Sequence, residues 1–107
     1  MNICALSGKL ASNPIAVGDG QTIKFSLLTR YPYKKDVVAE GTAHVPCVLF
    51  DATAEQKNVL LNQNRDKLRI ELVGRVVRSG FVNTEGKTLF NTEVAIDSSG
   101  MAIHRVR

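Results

Sequence analysis

Basic side chains are interspersed with aromatic ones along two stretches of this sequence. The first stretch carries Lys24, Arg30, Tyr31, Tyr33, Lys34 and Lys35, and the second carries Lys67, Arg69, Arg75, Arg78, Phe81 and Lys87. A flat ring can stack on any unpaired base, and a cation can neutralise a phosphate. Together these residue types indicate a surface for an unpaired polynucleotide, bound with little dependence on its sequence.

Each of these residues, and Phe50 between the two stretches, also has a purely structural interpretation. An outward lysine or arginine on a strand is most often only a solvated side chain. Tyr31 and Tyr33 flank Pro32, and they could stiffen that loop or pack at a subunit contact. Phe50 follows an apolar run, so core packing and base stacking are equally open for it. Phe81 is the most informative ring, because an aromatic residue in a hairpin tip has little core to enter.

The chain can form one small domain. Its 107 residues, 44% hydrophobic and 22% charged, are typical of a folded globular protein. The formal net charge of +4 suits a polyanionic partner without requiring one. No apolar run approaches the roughly 18 residues of a membrane span, and the first residues do not resemble a secretory signal. Cys4 and Cys47 lie in apolar stretches without metal-ligand spacing, so we expect core residues in a reducing cytoplasm.

Period-two alternation predicts five strands, and one segment between them has helical spacing. The strands are predicted over residues 2–10, 21–30, 42–50, 67–77 and 88–97, with a short helix inside residues 51–65 capped by Asp51 or Thr53. A hairpin tip is expected over 79–87 and a short basic tail over 98–107. Pro46 cannot donate to a strand ladder, so the third strand should be at an edge or bulged there. In the last two strands, Val76 and Phe90 are predicted to point inward.

This order of elements predicts the architecture. Three strands, one helix and two strands are the order of an OB fold, a five-stranded Greek-key barrel with its helix between strands 3 and 4. We therefore expect an all-β domain with one short helix over residues 1–97, followed by the tail. OB folds usually bind oligonucleotides on strands 2 and 3 and on the neighbouring loops. Many of the basic and aromatic candidates fall on those elements.

The sequence also resembles a known family. The matching pieces, in chain order, are Met1-Asn2, Gly8-Lys9-Leu10, Asn13-Pro14, Phe25-Ser26-Leu27, Thr29, Val48-Leu49-Phe50, Leu72-Val73-Gly74-Arg75-Val76 and Thr92-Glu93-Val94-Ala95-Ile96. Their order and spacing resemble the bacterial single-stranded DNA-binding protein (SSB) family along roughly residues 1–97. The resemblance implies an OB-fold homodimer or homotetramer that coats single-stranded DNA in replication, repair or recombination, in the cytoplasm with the nucleoid.

The resemblance also implies positions for base stacking. Tyr31 or Tyr33 after strand 2, Phe50 at the end of strand 3 and Phe81 in the last hairpin match the family's stacking aromatics. The family usually has a tryptophan in the middle of strand 3, where this chain has His44, and the chain contains no tryptophan. Histidine offers less ring area, so weaker binding per nucleotide is implied. The basic C-terminus replaces the family's linker and acidic tip, which indicates either a truncated chain or a short paralogue of the primosomal PriB, phage or plasmid type.

Nothing in the sequence indicates catalysis. His44 and His104 have no cysteine or acidic neighbour at ligand spacing, and the glycine-containing turn at 18–20 opens no helix. We expect a non-enzymatic protein without cofactor or metal, whose partners are single-stranded DNA, copies of itself and replication or primosome proteins. The alternative is an OB-fold adaptor of a replication, primosome or mobile-element complex, which binds proteins and contacts DNA weakly or not at all.

Overall fold

The computed structural model describes residues 1–31 and 41–106, and for Tyr31 it describes the backbone alone. This part of the chain contains seven strands and one α-helix. The elements are β1 (Cys4–Leu10), β2 (Ile15–Val17), β3 (Thr22–Tyr31), β4 (Gly41–Phe50), α1 (Ala54–Asn62), β5 (Leu68–Val82), β6 (Thr88–Asp97) and β7 (Met101–Arg105). Short 3-10 turns at Arg65–Lys67 and Ser98–Gly100 precede β5 and β7.

Five of the strands close into a barrel. They are hydrogen-bonded in the order β1, β3, β4, β6 and β5, and β5 pairs with β1 again. Neighbouring strands are antiparallel, except that β4 and β6 are parallel. The helix α1 lies between β4 and β5 in the chain. The predicted architecture, a closed five-stranded barrel with its helix between the third and fourth barrel strands, is therefore confirmed.

The barrel interior is filled by alternate residues of these strands. Ile23 and Leu27 of β3, Leu49 of β4 and Ile70 of β5 are fully buried, and Leu60 of α1 packs in the same cluster. Burying each such side chain stabilises the fold by about 1.5–3 kcal/mol. The period-two prediction is confirmed for β3 and the first half of β5, because the inward and outward positions alternate there as expected. In β4 the inward residues are those predicted, but Val48 on the opposite side is buried as well.

The helix begins at the cap that the sequence offers. The Thr53 hydroxyl accepts from the Gln56 backbone N–H, and the Gln56 side chain accepts from the Thr53 N–H, which completes a capping box. Val59 and Leu60 are its buried residues, so the helix has only a narrow apolar stripe. This matches the prediction of a short helix packed on one side.

The hairpin between β5 and β6 is longer than predicted. β5 continues to Val82, so residues 79–82 belong to the strand and the turn is confined to residues 83–87. In that turn the Asn83 side chain accepts from the backbone N–H groups of Glu85 and Lys87, and Gly86 adopts a φ of 79°. The expectation that Val76 and Phe90 point into the core was wrong, because this part of the hairpin extends beyond the barrel and both side chains are exposed.

The C-terminal segment is not a free tail. Residues Met101–Arg105 form β7, which pairs antiparallel with Leu68–Leu72 of β5, and Met101 is buried. The expected tail over 98–107 therefore contributes a strand to the sheet. The short strand β2, which pairs with the start of β3, was also not predicted.

Pro46 lies where β4 changes its pairing. Among the described residues, β4 pairs with β6 only from Cys47 onward, and its first half pairs with β3 alone. The strand is thus interior after Pro46 and an edge before it, which accommodates a residue without an N–H donor. The expectation of a local edge is met, although β4 as a whole has two neighbours.

Cys47 is a core residue, as predicted. It is almost fully buried, and its thiol donates to the Val45 carbonyl at 3.4 Å. Burial raises the pKa of Cys47 from its ordinary value of 9.0 to about 12, so the neutral thiol is the form that the fold holds. Cys4 is half-buried against the same core, and both cysteines are free.

Candidate nucleic-acid interface

One outward surface of the barrel carries most of the predicted binding residues. Residues directly opposite each other on paired strands point to the same side of a sheet. The alternate residues of β3 and β4 that point away from the core form what we call the outer face, namely Lys24, Ser26, Leu28, Arg30, Thr42, His44, Pro46, Val48 and Phe50. The outer face therefore presents cations on β3 and two flat rings on β4.

The rings of β4 lie at two separated points of this face. Phe50, at the end of the strand, is 39% exposed and does not belong to the buried core cluster. His44 is exposed six residues earlier, which corresponds to about 20 Å along a strand. Of the two roles open to Phe50 in the sequence, its position favours a partly free surface ring. The spacing leaves room for several nucleotides between the two rings.

The outer face continues across β6 onto β5. Val48 is opposite Ala95, and Ala95 is opposite Arg75, so the exposed Arg75 points to the same side as Lys24. Phe81 lies six residues further along β5, on the same side, where it is 45% exposed and opposite Leu89. The ring of Phe81 is thus supported by a strand rather than by a flexible tip.

Two hairpin arms extend from the barrel in the same direction. β4 and β6 are parallel and pair over Cys47–Phe50 and Val94–Asp97. Before those residues, no pairing joins the described residues of the two strands, so the β3–β4 and β5–β6 hairpins separate. His44 lies on one arm and Phe81 on the other.

An acidic residue lies in the middle of the outer face. Glu93 of β6 is only 8% exposed, and its carboxylate accepts a short hydrogen bond from the Ser79 hydroxyl. The other carboxylate oxygen is 3.9 Å from the Lys24 ammonium, so this ion pair reaches across β4. Lys24 is therefore partly neutralised before any phosphate arrives. The sequence pattern had no means of predicting this pair, because it joins residues almost seventy positions apart.

The remaining predicted cations do not all meet. Arg30 and Arg69 lie in one groove with Lys9, which the sequence analysis had not singled out. Lys67 is in the 3-10 turn at the opposite end of β5 from Phe81, and Lys87 is exposed in the hairpin turn. The structure thus separates Lys67 from the aromatic residues, whereas the sequence grouped them.

Arg78 points to the other side of the hairpin arm. Residues 78 and 81 differ by an odd number, so Arg78 cannot share a face with Phe81. Its guanidinium lies 3.8 Å from the centroid of the Phe90 ring. That ring also covers Gly80, where an added Cβ would lie 3.1 Å from Phe90 Cε1. Arg78 and Phe90 therefore form a second surface on the hairpin, away from the outer face.

Comparison with known proteins identifies the architecture. No protein-family model matches the sequence, and no curated protein matches it. Among solved structures, the chain is similar to the SSB of Plasmodium falciparum in complex with ssDNA, with a TM-score of 0.70 and 15% sequence identity over 100% of this chain and 96% of that chain. The fold is an OB fold.

The OB fold gives each element of the candidate interface its usual place. Barrel strands 1 to 5 are β1, β3, β4, β5 and β6, because their pairing order closes the Greek-key barrel. The outer face lies on strands 2 and 3, and Phe81 stands near the loop between strands 4 and 5. These are the parts of OB folds that usually bind oligonucleotides. The position of the candidate interface therefore agrees with the general binding mode of the fold.

Some predicted site residues lie outside the described part of the chain. Tyr33, Lys34 and Lys35 belong to the segment 32–40, and of Tyr31 only the backbone is described, at the end of β3. Their roles in base stacking and phosphate contact stay predictions.

Within residues 1–31 and 41–106, no three histidine, cysteine or acidic side chains could hold a metal ion together. The helix in this part of the chain is too short to cross a membrane.

Proposed function

We propose that this protein binds single-stranded DNA with little sequence preference. The observation that carries the proposal is the presence of half-exposed Phe50 and Phe81 on one outer face with Lys24 and Arg75. Stacking on an aromatic side chain contributes about 1–3 kcal/mol per base and does not depend on which base it is. Stacking on bases would cover the apolar surface that both rings expose.

The structural similarity supports the same proposal. The Plasmodium falciparum SSB that this chain resembles in fold was solved in complex with ssDNA. Its sequence identity to this chain is low, so the likeness supports the binding mode rather than any particular contact. As further parts of the proposal, the protein assembles with copies of itself and acts in DNA replication, repair or recombination in the cytoplasm, without catalysing a reaction. A relationship to the bacterial SSB family, or to its short paralogues, belongs to the proposal as well.

A preference for single strands over duplex follows from the chemistry of the outer face. In a duplex the bases are stacked on each other, so Phe50, His44 and Phe81 would find no free base surface. The cations alone would then provide only weak, salt-sensitive attraction to phosphates. We therefore expect a clear difference in affinity between the two forms of DNA.

A titration with fluorescent oligo-dT and with a matched duplex at several salt concentrations tests the proposal. If Arg30 and Arg75 each neutralise one phosphate while Lys24 stays paired with Glu93, the logarithm of affinity should fall against the logarithm of salt concentration with a slope of about −1.4. Stronger and salt-sensitive binding of the single strand is the expected result. Flat binding curves for both forms of DNA up to high protein concentration would contradict it.

A protein-binding adaptor is the second candidate, and one observation favours it. The second surface of the β5–β6 hairpin exposes Val76, Val82 and Phe90, which could be covered by a protein. The same titration separates the two candidates, since an adaptor would leave oligo-dT largely unbound. The charged and aromatic outer face favours DNA as the primary partner.

A further inference from the structure

Three cationic side chains from three different strands line one groove on the outside of the barrel. The groove has a volume of about 290 Å³ and is lined by Lys9 of β1, Arg30 of β3 and Arg69 of β5, with Ser7, Gly8 and Leu28. Arg30 and Arg69 lie in separate stretches of the sequence, and Lys9 belongs to neither stretch. Their convergence is therefore a property of the fold alone.

The strand pairing explains why they converge. Lys9 is opposite Leu28 of β3, and Gly8 is opposite Ile70 of β5. Continuing these two registers places Arg69 beside Lys9 on one side of β1. It places Arg30 beside Ser7 on the other side. Ser7 and Lys9 both point outward, so the three cations share one side of the sheet.

Gly8 allows this arrangement. β1 pairs with β5 up to Gly8 and with β3 from Lys9 onward, so the chain changes neighbours at that residue. A Cβ added to Gly8 would collide with the Leu28 carbonyl oxygen. Only glycine permits so close an approach of β3 to β1.

The charge of the groove indicates what it would bind. Among the described residues that line it, none is acidic. The acid nearest along β5, Glu71, has its carboxylate 3.7 Å from His104 Nε2 on β7. Cations that line one concavity create a positive potential that attracts an anion. A phosphate group, with its negative charge and several acceptor oxygens, has the matching chemistry.

The groove is continuous with the outer face. An adjoining groove of about 400 Å³ shares Lys9 and Leu28 with it and extends to His44 on β4, and Arg65 and Asp66 also line it. His44, Leu28 and Lys9 are successive neighbours across β4, β3 and β1. One open path therefore leads from a predicted stacking position to the cations on β1 and β5.

We infer that a single strand lying on the outer face continues past His44 and over β1, where its phosphates contact Lys9 and Arg69. This inference rests on the proposed function and gives the path of the DNA after it leaves β3 and β4. The cations bind phosphate oxygens and no base, so this part of the path adds affinity without adding sequence preference.

The inference is tested with the full chain and a ladder of oligo-dT lengths between about 4 and 16 nucleotides. Each lost phosphate contact should reduce the salt slope by about 0.7, which amounts to roughly fivefold weaker binding at 0.1 M salt relative to 1 M. Lys9→Gln and Arg69→Gln should each weaken long oligonucleotides by this factor and leave the shortest bound oligonucleotides unchanged. Lys9→Arg should restore the binding of long oligonucleotides.

Lys57→Gln is the matched control, because it removes the same charge from α1. Melting curves of all variants should coincide, since Lys9 and Arg69 are exposed. If Lys9→Gln and Lys57→Gln bind every length equally, or if Lys9→Gln weakens all lengths alike, the path over β1 is wrong while the proposed function stands. If the unaltered chain fails to bind oligo-dT at any length, the proposed function itself is wrong.

Discussion

Replacing Phe81 by alanine tests the outer face most directly, because the same hairpin contains a matched ring on its other side. Phe81 and Phe90 are 45% and 53% exposed, so their partly buried areas are similar. Phe81 points to the side of Arg75, and Phe90 points to the side of Arg78. If the outer face binds DNA, only Phe81 should matter for binding.

The expected magnitudes follow from stacking and burial. Loss of one stacked base contact costs about 1–3 kcal/mol, so Phe81→Ala should weaken oligo-dT binding roughly 5- to 140-fold. A fully buried phenylalanine stabilises a fold by about 1.5–3 kcal/mol, and about half of each ring is covered, so each variant should lose about 1 kcal/mol of folding free energy. That loss corresponds to a decrease of about 4–8 °C in melting temperature. Phe90→Ala should show the same decrease and nearly unchanged DNA affinity.

Fluorescence anisotropy with labelled oligo-dT, together with thermal unfolding followed by circular dichroism, measures both quantities. Binding is compared below the onset of unfolding, so that a change in affinity reflects the folded protein. If Phe90→Ala weakens binding as much as Phe81→Ala, the assignment of faces is wrong. If Phe81→Ala lowers the melting temperature steeply without changing affinity, Phe81 is a packing residue and the proposed interface loses its principal ring.

Three further predictions concern charge, close packing and pH. The Glu93→Gln variant should bind oligo-dT several-fold more tightly at low salt, with a salt slope steeper by about 0.7, because Lys24 is then free to contact a phosphate. If a salt titration shows weaker binding instead, Glu93 serves to position Lys24. Gly8→Ala should destabilise the fold by several kcal/mol in urea unfolding through the collision with β3, and an unchanged midpoint would contradict that contact. Folding raises the pKa of Cys47 from 9.0 to about 12, so its neutral thiol contributes fully to the free energy of unfolding below pH 9. That contribution should decrease by about 1.4 kcal/mol per pH unit from pH 9 towards pH 12. Urea unfolding at about pH 8 and about pH 10 measures the decrease, which should be smaller in Cys47→Ala.

The barrel itself was predictable from local patterns. Alternation of apolar residues marks β3 and β4, and the cap at Thr53 marks the start of α1. The order of these elements then restricts the topology to a few arrangements, of which the OB fold is one. Such patterns work best where a strand has one covered and one open side, as in β3 and the first half of β5, whereas Val94 and Ala95 of β6 are both buried.

The ends of the strands were not predictable in the same way. Alternation assigns Phe90 correctly to the side of Val94, yet Val94 is buried and Phe90 is exposed. The difference arises because the barrel core packs against that side of β6 at Val94 but does not extend as far as Phe90. The sequence around residue 90 does not indicate where the core ends. Local sequence does not predict β7 either, because these residues become a strand by pairing with the start of β5, which is distant in the sequence.

The candidate interface was predictable in its residue types and less so in its grouping. Lys24, Arg30 and His44 fall on the outer face because alternation determines which side each one takes. The groove that unites Lys9 with Arg69 depends on the change of neighbours at Gly8, and that change involves residues about sixty positions apart. Long-range register, rather than propensity, decides which cations act together.

The register of the β5–β6 hairpin decides which of its two rings faces the DNA. Phe81 is opposite Leu89 and Gly80 is opposite Phe90, and the turn held by Asn83 sets this register. A slip of one residue between the strands would move every side chain of the slipped strand to the other side. Phe81 would then leave the outer face, and the Phe90 ring would lose its seat on Gly80. A Cβ at residue 80 would lie 3.1 Å from the Phe90 ring, so glycine gives that ring its closest packing, and this contact favours the register that keeps Phe81 on the outer face.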